Sequence, residues 1–564
     1  MSSLRIVVVG GSAAGPKAAA KARRMDQHAE ITIVQKSADL SMASCGYPYY
    51  VGGTFQDRRQ LICTPAGVVR DPGFFQNAKG ITALTKTEAV AIDRAAHRVT
   101  CRHLGTGEER VLPYDRLVLA TGALPIRPPV PGIELEGITT LQSMEDADRL
   151  RRVRDGKEVR EAVVIGGGLI GVETCEALHL AGIRITVVEM LPRILSFLDP
   201  EMAMLVENHM RTSGARVITG NPVAAFVGRE GRVASVKLRD GTELPCELAV
   251  VATGVRPNSR LAAESGLAIG ERGGIRVDRF LRTSDPDIYA AGDCIEVPHL
   301  ITGRPVHVPL GDLANLEGRV VGQNVVIPGT AEFPGTLQTG VCKVFDFAAG
   351  STGLSERAAR EAGFDAVSVV TAGADRPDYM GAKPLVMKMV AERGTGRLLG
   401  VQCVGPGDAS KRLAEAAMAL HGRLTITDLS VADLPYAPPF SPPIDNLVTA
   451  AHVLGNKLAG RMTGISAPEV RAKLDAGERP FILDARGPDE FDVMRLGIGE
   501  TLIPLGALRK RLSELPSDRD REIVCYCKIS LRGYEAAGLI EAQGYRNVKV
   551  LEGGILAWPY PREK

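Results

Sequence analysis

Residues 4–15 read LRIVVVGGSAAG and residues 161–182 read EAVVIGGGLIGVETCEALHLAG, and these two stretches decide the fold. Each begins with a short β-branched run, turns on glycines and continues into good helix formers, Pro16 to Arg24 in the first case. Strand, tight turn and helix, followed by a further apolar strand (ITIV, then ITVV), predict two βαβ starts. In the first, Gly10 permits the turn and Gly15 allows close helix packing, with Ser12 where a middle glycine is usual. In the second, the same positions are Gly166, Gly168 and Gly171. A helix N-terminus built this way offers unpaired N–H groups to a pyrophosphate. One such fingerprint is weak, whereas two in one chain predict two dinucleotide sites.

The strand after each helix refines the reading. The second ends in Glu189, where a carboxylate hydrogen-bonds a ribose 2′-hydroxyl and repels a 2′-phosphate, so NADH is expected over NADPH. Arg193, four residues on, leaves NADPH open as the alternative. The first ends in Gln35, which still hydrogen-bonds hydroxyls. Two strand-to-glycine turns follow, YDRLVLATGALP with Gly122 and ELAVVATGVRPN with Gly254, and then DIYAAGDCIE with Asp293.

At 564 residues the chain exceeds one hydrophobic core and calls for three or four domains. Lys plus Arg number 68 against 66 for Asp plus Glu, which gives no field to gather nucleic acid. No apolar run approaches the roughly 20 residues needed to cross a bilayer, and Leu4 to Val9 reads as a strand, not a signal peptide. Ten scattered cysteines point to a reducing compartment, and the cytoplasm is expected. No metal site is expected.

From about Phe333 to Val448 alternating strands such as PLVMKMV and LLGVQCVG precede a helical segment around Lys411 to His421, an α+β pattern. Beyond a Gly- and Lys-rich boundary the C-terminal stretch contains FILDARGPDEF, EIVCYCKISLRGYEAAGLIEAQGY and NVKVLEGGILAW. The middle one sets Cys527 at a strand end and Arg532 at a helix start. The backbone N–H groups of such a six-residue loop cradle an anion, either a thiolate or the outer sulfur of a persulfide. Cys525, two residues earlier, reads either as a buried strand residue or as a redox partner of Cys527. Trp558, the sole tryptophan, is expected to close this last core.

Taken in order, the two fingerprints, the two ATG turns and AAGDC resemble the pyridine nucleotide-disulfide oxidoreductase family, over roughly residues 1 to 450. The resemblance implies FAD at the first site, with Asp293 on its ribityl or pyrophosphate region, and the nicotinamide cofactor at the second. SMASCGYPYYVGG holds Cys45 without the second cysteine of the disulfide-shuttling members, and so is similar to the coenzyme A-disulfide reductase branch. There a single cysteine near a helix start cycles through a mixed disulfide or persulfide, and a helix dipole lowers its pKa. Ser41 matches that branch, Ser44 stands where asparagine is usual, and Lys17 and Arg23 are candidates for coenzyme A phosphates, as substrate or bound cofactor. LPYAPPFSPP resembles the segment that brings a tyrosine, here Tyr436, to the partner subunit's cysteine; Tyr379 is a weaker match. A homodimer is implied. The Cys527–Arg532 loop resembles that of rhodanese-like domains, with Asp484 and Arg486 as a structural pair. Related phosphatase loops are one residue longer.

The fold expected is α/β: an FAD-binding domain (1–115 and 256–330), an NAD(P)H-binding domain (116–255), an α+β dimerisation domain (331–450), a linker (451–465) and a rhodanese-like domain (466–564). The expected activity is NADH-linked, FAD-dependent reduction of persulfide, polysulfide or coenzyme A-disulfide sulfur, with low-molecular-weight thiols and persulfides as partners. Cys45 is the nucleophile, with Cys527 holding sulfane sulfur. The alternatives are an NADH oxidase or peroxidase cycling Cys45 through a sulfenic acid, and a non-catalytic redox sensor or sulfur carrier.

Overall fold

The computed structural model describes residues 3–564. They divide into two compact units, the first running up to Met190 and resuming over Ile218–Thr336, the second made of Leu191–Val217 and Leu337–Lys564.

In the first unit a parallel sheet runs in the order Ile288–Ala290, Arg116–Leu119, Arg5–Val9, Glu30–Val34, Thr82–Leu84. Its strands are near-continuous Val, Ile and Leu because both faces are buried. Helix Ala14–Met25 presents an alanine face, with Ala18, Ala19 and Ala22 fully buried. A second parallel arrangement joins Arg184–Val188, Glu161–Ile165, Leu248–Val251 and Ile138–Thr139. Helix Leu169–His179 follows its central strand. Both βαβ starts therefore form where their apolar runs and glycines placed them.

In the second unit an antiparallel sheet runs Gly340–Val344, Phe347–Gly353, Leu398–Gly405, Pro384–Glu392, Ala366–Ala374. Helix Ala409–His421, capped by the Asp408 carboxylate, packs with it. The C-terminal sheet is parallel, ordered Gly464–Ile465, Val548–Leu551, Ile523–Tyr526, Phe481–Asp484, Thr501–Leu502. Trp558 closes its core at 1% exposure.

Two boundaries differ from the expectation. Residues 451–458, assigned to a linker, continue helix Asn446–Leu458, which starts at an Asp445 cap and buries Leu447, Val448, Ala450, Ala451 and Leu454. The helical period of those apolar residues outweighs the local glycine and lysine signal. Segment Leu191–Val217, expected within the NAD(P)H-binding domain, groups with the second unit. There Lys388, almost fully buried, is surrounded by Asp199 (3.2 Å), Glu201 (2.5 Å) and Glu356 (2.7 Å), and Gln402 donates to Asp199 (2.7 Å). Among the described residues, no helix is long and apolar enough to cross a membrane.

Candidate active site

The two fingerprint turns are close approaches that only glycine permits. A Cβ at Gly10, whose φ is +114°, would lie 1.9 Å from the Ala120 carbonyl oxygen, and one at Gly15 would lie 1.9 Å from that of Gly10. The second turn repeats this, with Gly166 against Ala252 (2.2 Å) and Gly171 against Gly166 (1.9 Å). Space beside Gly168, by contrast, is open. Gln35 accepts from the Gly11 N–H (2.8 Å) and Glu189 from the Gly167 N–H (2.6 Å), so each strand-end residue is fastened to its own glycine turn. Gly122 and Gly254 both take positive φ, ahead of the paired strands Ala123–Pro125 and Val255–Pro257. These cradles fit dinucleotides. Asp293 follows the sheet strand Ile288–Ala290, and burial raises its carboxyl pKa. Glu317, which the sequence reading missed, accepts from the Gly292 N–H (2.6 Å), and burial pushes its pKa up to about 8.

Cys45 lies in the one-turn helix Ser44–Gly46, directly ahead of helix Tyr47–Gly52, and is exposed. The Gly311 N–H at the start of helix Gly311–Asn324 hydrogen-bonds the thiol and favours the thiolate. Although the residue reaches solvent, the protein packed around its sulfur partly desolvates it, and this and then Glu173 hold the thiol above its ordinary pKa, contrary to the expected depression. Glu173 is a second group that sequence reasoning missed. It sits on helix Leu169–His179, takes a hydrogen bond from the Tyr49 hydroxyl (3.3 Å), and is raised by burial to about 7.

A cavity of about 360 Å³ opens beside this region, with Ser12, Lys17, Ser41 and Arg70 among its lining residues. Arg70 donates to the Ser41 hydroxyl (3.4 Å). Arg24 and Lys79 complete a cationic rim. Arg23 does not line it: its guanidinium donates to the carbonyls of Lys79, Gly80, Asp26 and Gln27, tying the helix end to the neighbouring segment. Ser44 is exposed in the Cys45 turn. Tyr436 and Tyr379, in the second unit, are 50% and 76% exposed.

In the C-terminal domain Cys527 immediately follows strand Ile523–Tyr526, and Arg532 falls in the first turn of helix Leu531–Glu541. Ser530 takes a positive φ between them, and its hydroxyl donates to the Leu551 carbonyl. The loop is braced from behind by Ile555 N–H on the Cys527 carbonyl (3.0 Å) and Leu556 N–H on that of Lys528 (3.2 Å). Arg532 makes a bidentate pair with Glu490 (2.7 and 2.8 Å) and also hydrogen-bonds the Cys527 side chain. Glu490 is thereby held at about 2. Asp484 and Arg486 form the structural pair expected, joined by the Tyr526 hydroxyl (2.7 Å). Cys525 is fully buried, and burial drives its thiol pKa far up, which favours its reading as a packed strand residue.

The chain matches the models for pyridine nucleotide-disulphide oxidoreductase over residues 4–309, the dimerisation domain of that family over 339–448, and the rhodanese-like domain over 466–559. It is 35% identical over 454 residues to the NAD(P)H coenzyme A polysulfide/persulfide reductase of Pyrococcus horikoshii, covering 80% of this chain and 98% of that one. It is 43% identical, with a TM-score of 0.93, to the structure of an NAD-dependent persulfide reductase from A. fulgidus, over 98% of this chain and all of the other. Against reduced Bacillus anthracis CoADR-RHD it gives 34% identity and a TM-score of 0.91 over 99% of this chain and 98% of that one. The domains that carry the two glycine cradles, Cys45 and the Cys527 loop are thus matched in order along the sequence, and the chain belongs to the pyridine nucleotide-disulphide oxidoreductase family, extended by a rhodanese-like domain.

Proposed function

We propose that the chain is an NADH-linked, FAD-dependent reductase of sulfur–sulfur bonds, acting on persulfide, polysulfide or coenzyme A-disulfide sulfur at Cys45. The observation that carries this reading is Cys45 itself: an exposed, unpaired cysteine held against a helix N-terminus within the unit that contains both dinucleotide cradles. FAD is assigned to the Gly10–Gly15 cradle with Asp293, and NADH to Gly166–Gly171 with Glu189. When bound, these groups supply a pair of electrons beside the reacting sulfur.

The chain's own residues do the rest. Cys45, as thiolate, attacks the sulfane sulfur of a persulfide; a sulfur–sulfur bond forms on Cys45, the original one breaks, and the thiol leaves with its electron pair. The Gly311 N–H stabilises the attacking thiolate. The leaving thiolate takes one proton, for which Glu173 is the adjacent donor, poised near neutral pH. Two electrons then release hydrosulfide and restore the Cys45 thiolate. Lys17, Arg24, Arg70 and Lys79 hold the phosphates of a coenzyme A-type carrier, with Ser41 oriented by Arg70. Tyr436 and Tyr379 are assigned to the Cys45 site of a partner subunit in a homodimer. Cys527 holds sulfane sulfur, with Arg532 as its hydrogen-bond donor. Ten free cysteines suit the cytoplasm.

The test is anaerobic NADH oxidation with coenzyme A persulfide, polysulfide, coenzyme A disulfide and peroxide in turn. Persulfide-dependent turnover lost in Cys45→Ser supports the reading, and Cys527→Ser reports whether the C-terminal domain feeds it. Full sulfur reduction by Cys45→Ser, or peroxide turnover far above persulfide turnover, would overturn it.

A further inference from the structure

A cavity of about 570 Å³ is lined by none of the residues assigned to the proposed reaction. It lies within the second unit, between helix Pro200–Thr212, the antiparallel sheet and the C-terminal segment 556–562. Its walls are apolar and aromatic, with Leu205, Phe347, Val386, Val404 and Tyr560 among them. Phe347 is stacked face to face with His209 (3.7 Å between centroids) and Tyr560 meets Trp558 edge-on (5.0 Å). That volume suits a small organic molecule.

Among these wall residues one buried donor lacks an acceptor and one cation lacks a counter-ion. Trp558 is 1% exposed, yet its indole N–H has no acceptor. Arg562 is half-buried, and its guanidinium reaches only the Trp558 carbonyl (2.7 Å) and the Met494 sulfur (3.6 Å), with no carboxylate within ion-pair distance among the described residues. Burial accordingly lowers its pKa, with no opposing charge to raise it. The other cationic groups of the wall are already matched: Arg211 to Glu207 (3.5 Å) and His209 to Asp346 (2.8 Å). One uncompensated positive charge therefore remains among the lining residues, and Trp558, another of them, carries an N–H donor without an acceptor.

We propose that this cavity binds a small organic monoanion, a carboxylate on an aromatic or aliphatic body, with Arg562 pairing the carboxylate, the Trp558 N–H as second donor and the apolar walls enclosing the body. A planar guanidinium matches a carboxylate. A single free charge suits a monoanion better than the multiply charged nucleotides assigned to the first unit. The site stands independently of the Cys45 chemistry.

Trp558 is the chain's single tryptophan, so its emission reports this cavity specifically. The FAD-loaded full chain is titrated with benzoate, hexanoate, neutral benzamide and dianionic phenyl phosphate at constant ionic strength. Saturable change with benzoate and hexanoate, weakened about tenfold or more in Arg562→Gln and largely retained in Arg562→Lys, is the expected result. No saturable response, benzamide binding as well as benzoate, phenyl phosphate binding more tightly than benzoate, or unchanged affinity in Arg562→Gln would each overturn the proposal.

Discussion

Replacing Glu490 by Gln should make the Cys527 loop a better acceptor for anionic sulfur donors. Glu490 neutralises Arg532 through two charge-assisted hydrogen bonds at 2.7 and 2.8 Å, and Arg532 in turn hydrogen-bonds the Cys527 side chain. The Glu490 carboxyl moves from its ordinary 4.5 to about 2, first through that hydrogen bond. A shift of this size would be worth roughly 3 kcal/mol for fully shielded groups. With the two side chains 37% and 35% exposed, solvent screening reduces it to about 1 kcal/mol. Gln keeps one hydrogen bond and removes the negative charge, leaving Arg532 uncompensated. Thiosulfate, a dianion, should then load Cys527 with KM lowered about fivefold, the equivalent of that 1 kcal/mol. The assay is thiosulfate-dependent sulfur transfer to cyanide in a Cys45→Ser background, which isolates Cys527. An unchanged or raised KM for thiosulfate in Glu490→Gln would refute the electrostatic reasoning. The folded-state pKa is depressed, so the pair's contribution to stability is complete above pH 4.5 and disappears as the pH falls through about 2.

Glu173→Gln should move the acid limb of the pH profile of kcat/KM for persulfide to lower pH. After burial, the Glu173 charge is the largest cause holding the Cys45 thiol up, and its removal frees thiolate at lower pH. The same variant should lose the alkaline limb near 7 that deprotonation of Glu173 produces, so a profile superimposable on that of the parent would count against its role. Lys388→Met leaves Asp199 and Glu201 buried without their counter-ion, and Glu356 with Arg360 alone, and should cost about 3–5 kcal/mol at neutral pH, measured from denaturant midpoints. Because Asp199 and Glu356 have depressed pKa values, the deficit should narrow as acid protonates them.

Much of the molecule was legible from local grammar. Gly10, Gly15, Gly166 and Gly171 could be read because their role depends on a few neighbouring peptides, and the observed close approaches are those a βαβ turn requires. The Cys527 loop was legible for the same reason, being bounded by a strand and a helix within six residues. Helix Asn446–Leu458 was misread as linker beyond residue 450, since the Gly- and Lys-rich segment that starts at Asn456 is a local signal whereas the helix's buried face needs a sheet to bury against.

Sequence by itself determined which chemical groups the chain carries and in what order: two glycine cradles, one SMASCGYPYYVGG turn with a single cysteine, one Cys527–Arg532 loop. Tertiary structure alone decided how those groups are tuned. Arg23 and Arg24 are neighbours in sequence but point about 100° apart around the helix, so packing gives one to backbone carbonyls and the other to a cavity. Glu173 reads as an ordinary helix carboxylate until folding brings it to Cys45, where it raises the thiol that the sequence alone predicted to be lowered. The Trp558 N–H becomes significant only once burial removes the water that would otherwise satisfy it, and Arg562 only once folding sets it against an apolar wall without a carboxylate partner. Identity and spacing are local properties of the chain, whereas desolvation and charge proximity depend on residues far apart in it, and these set the reactivity of each group.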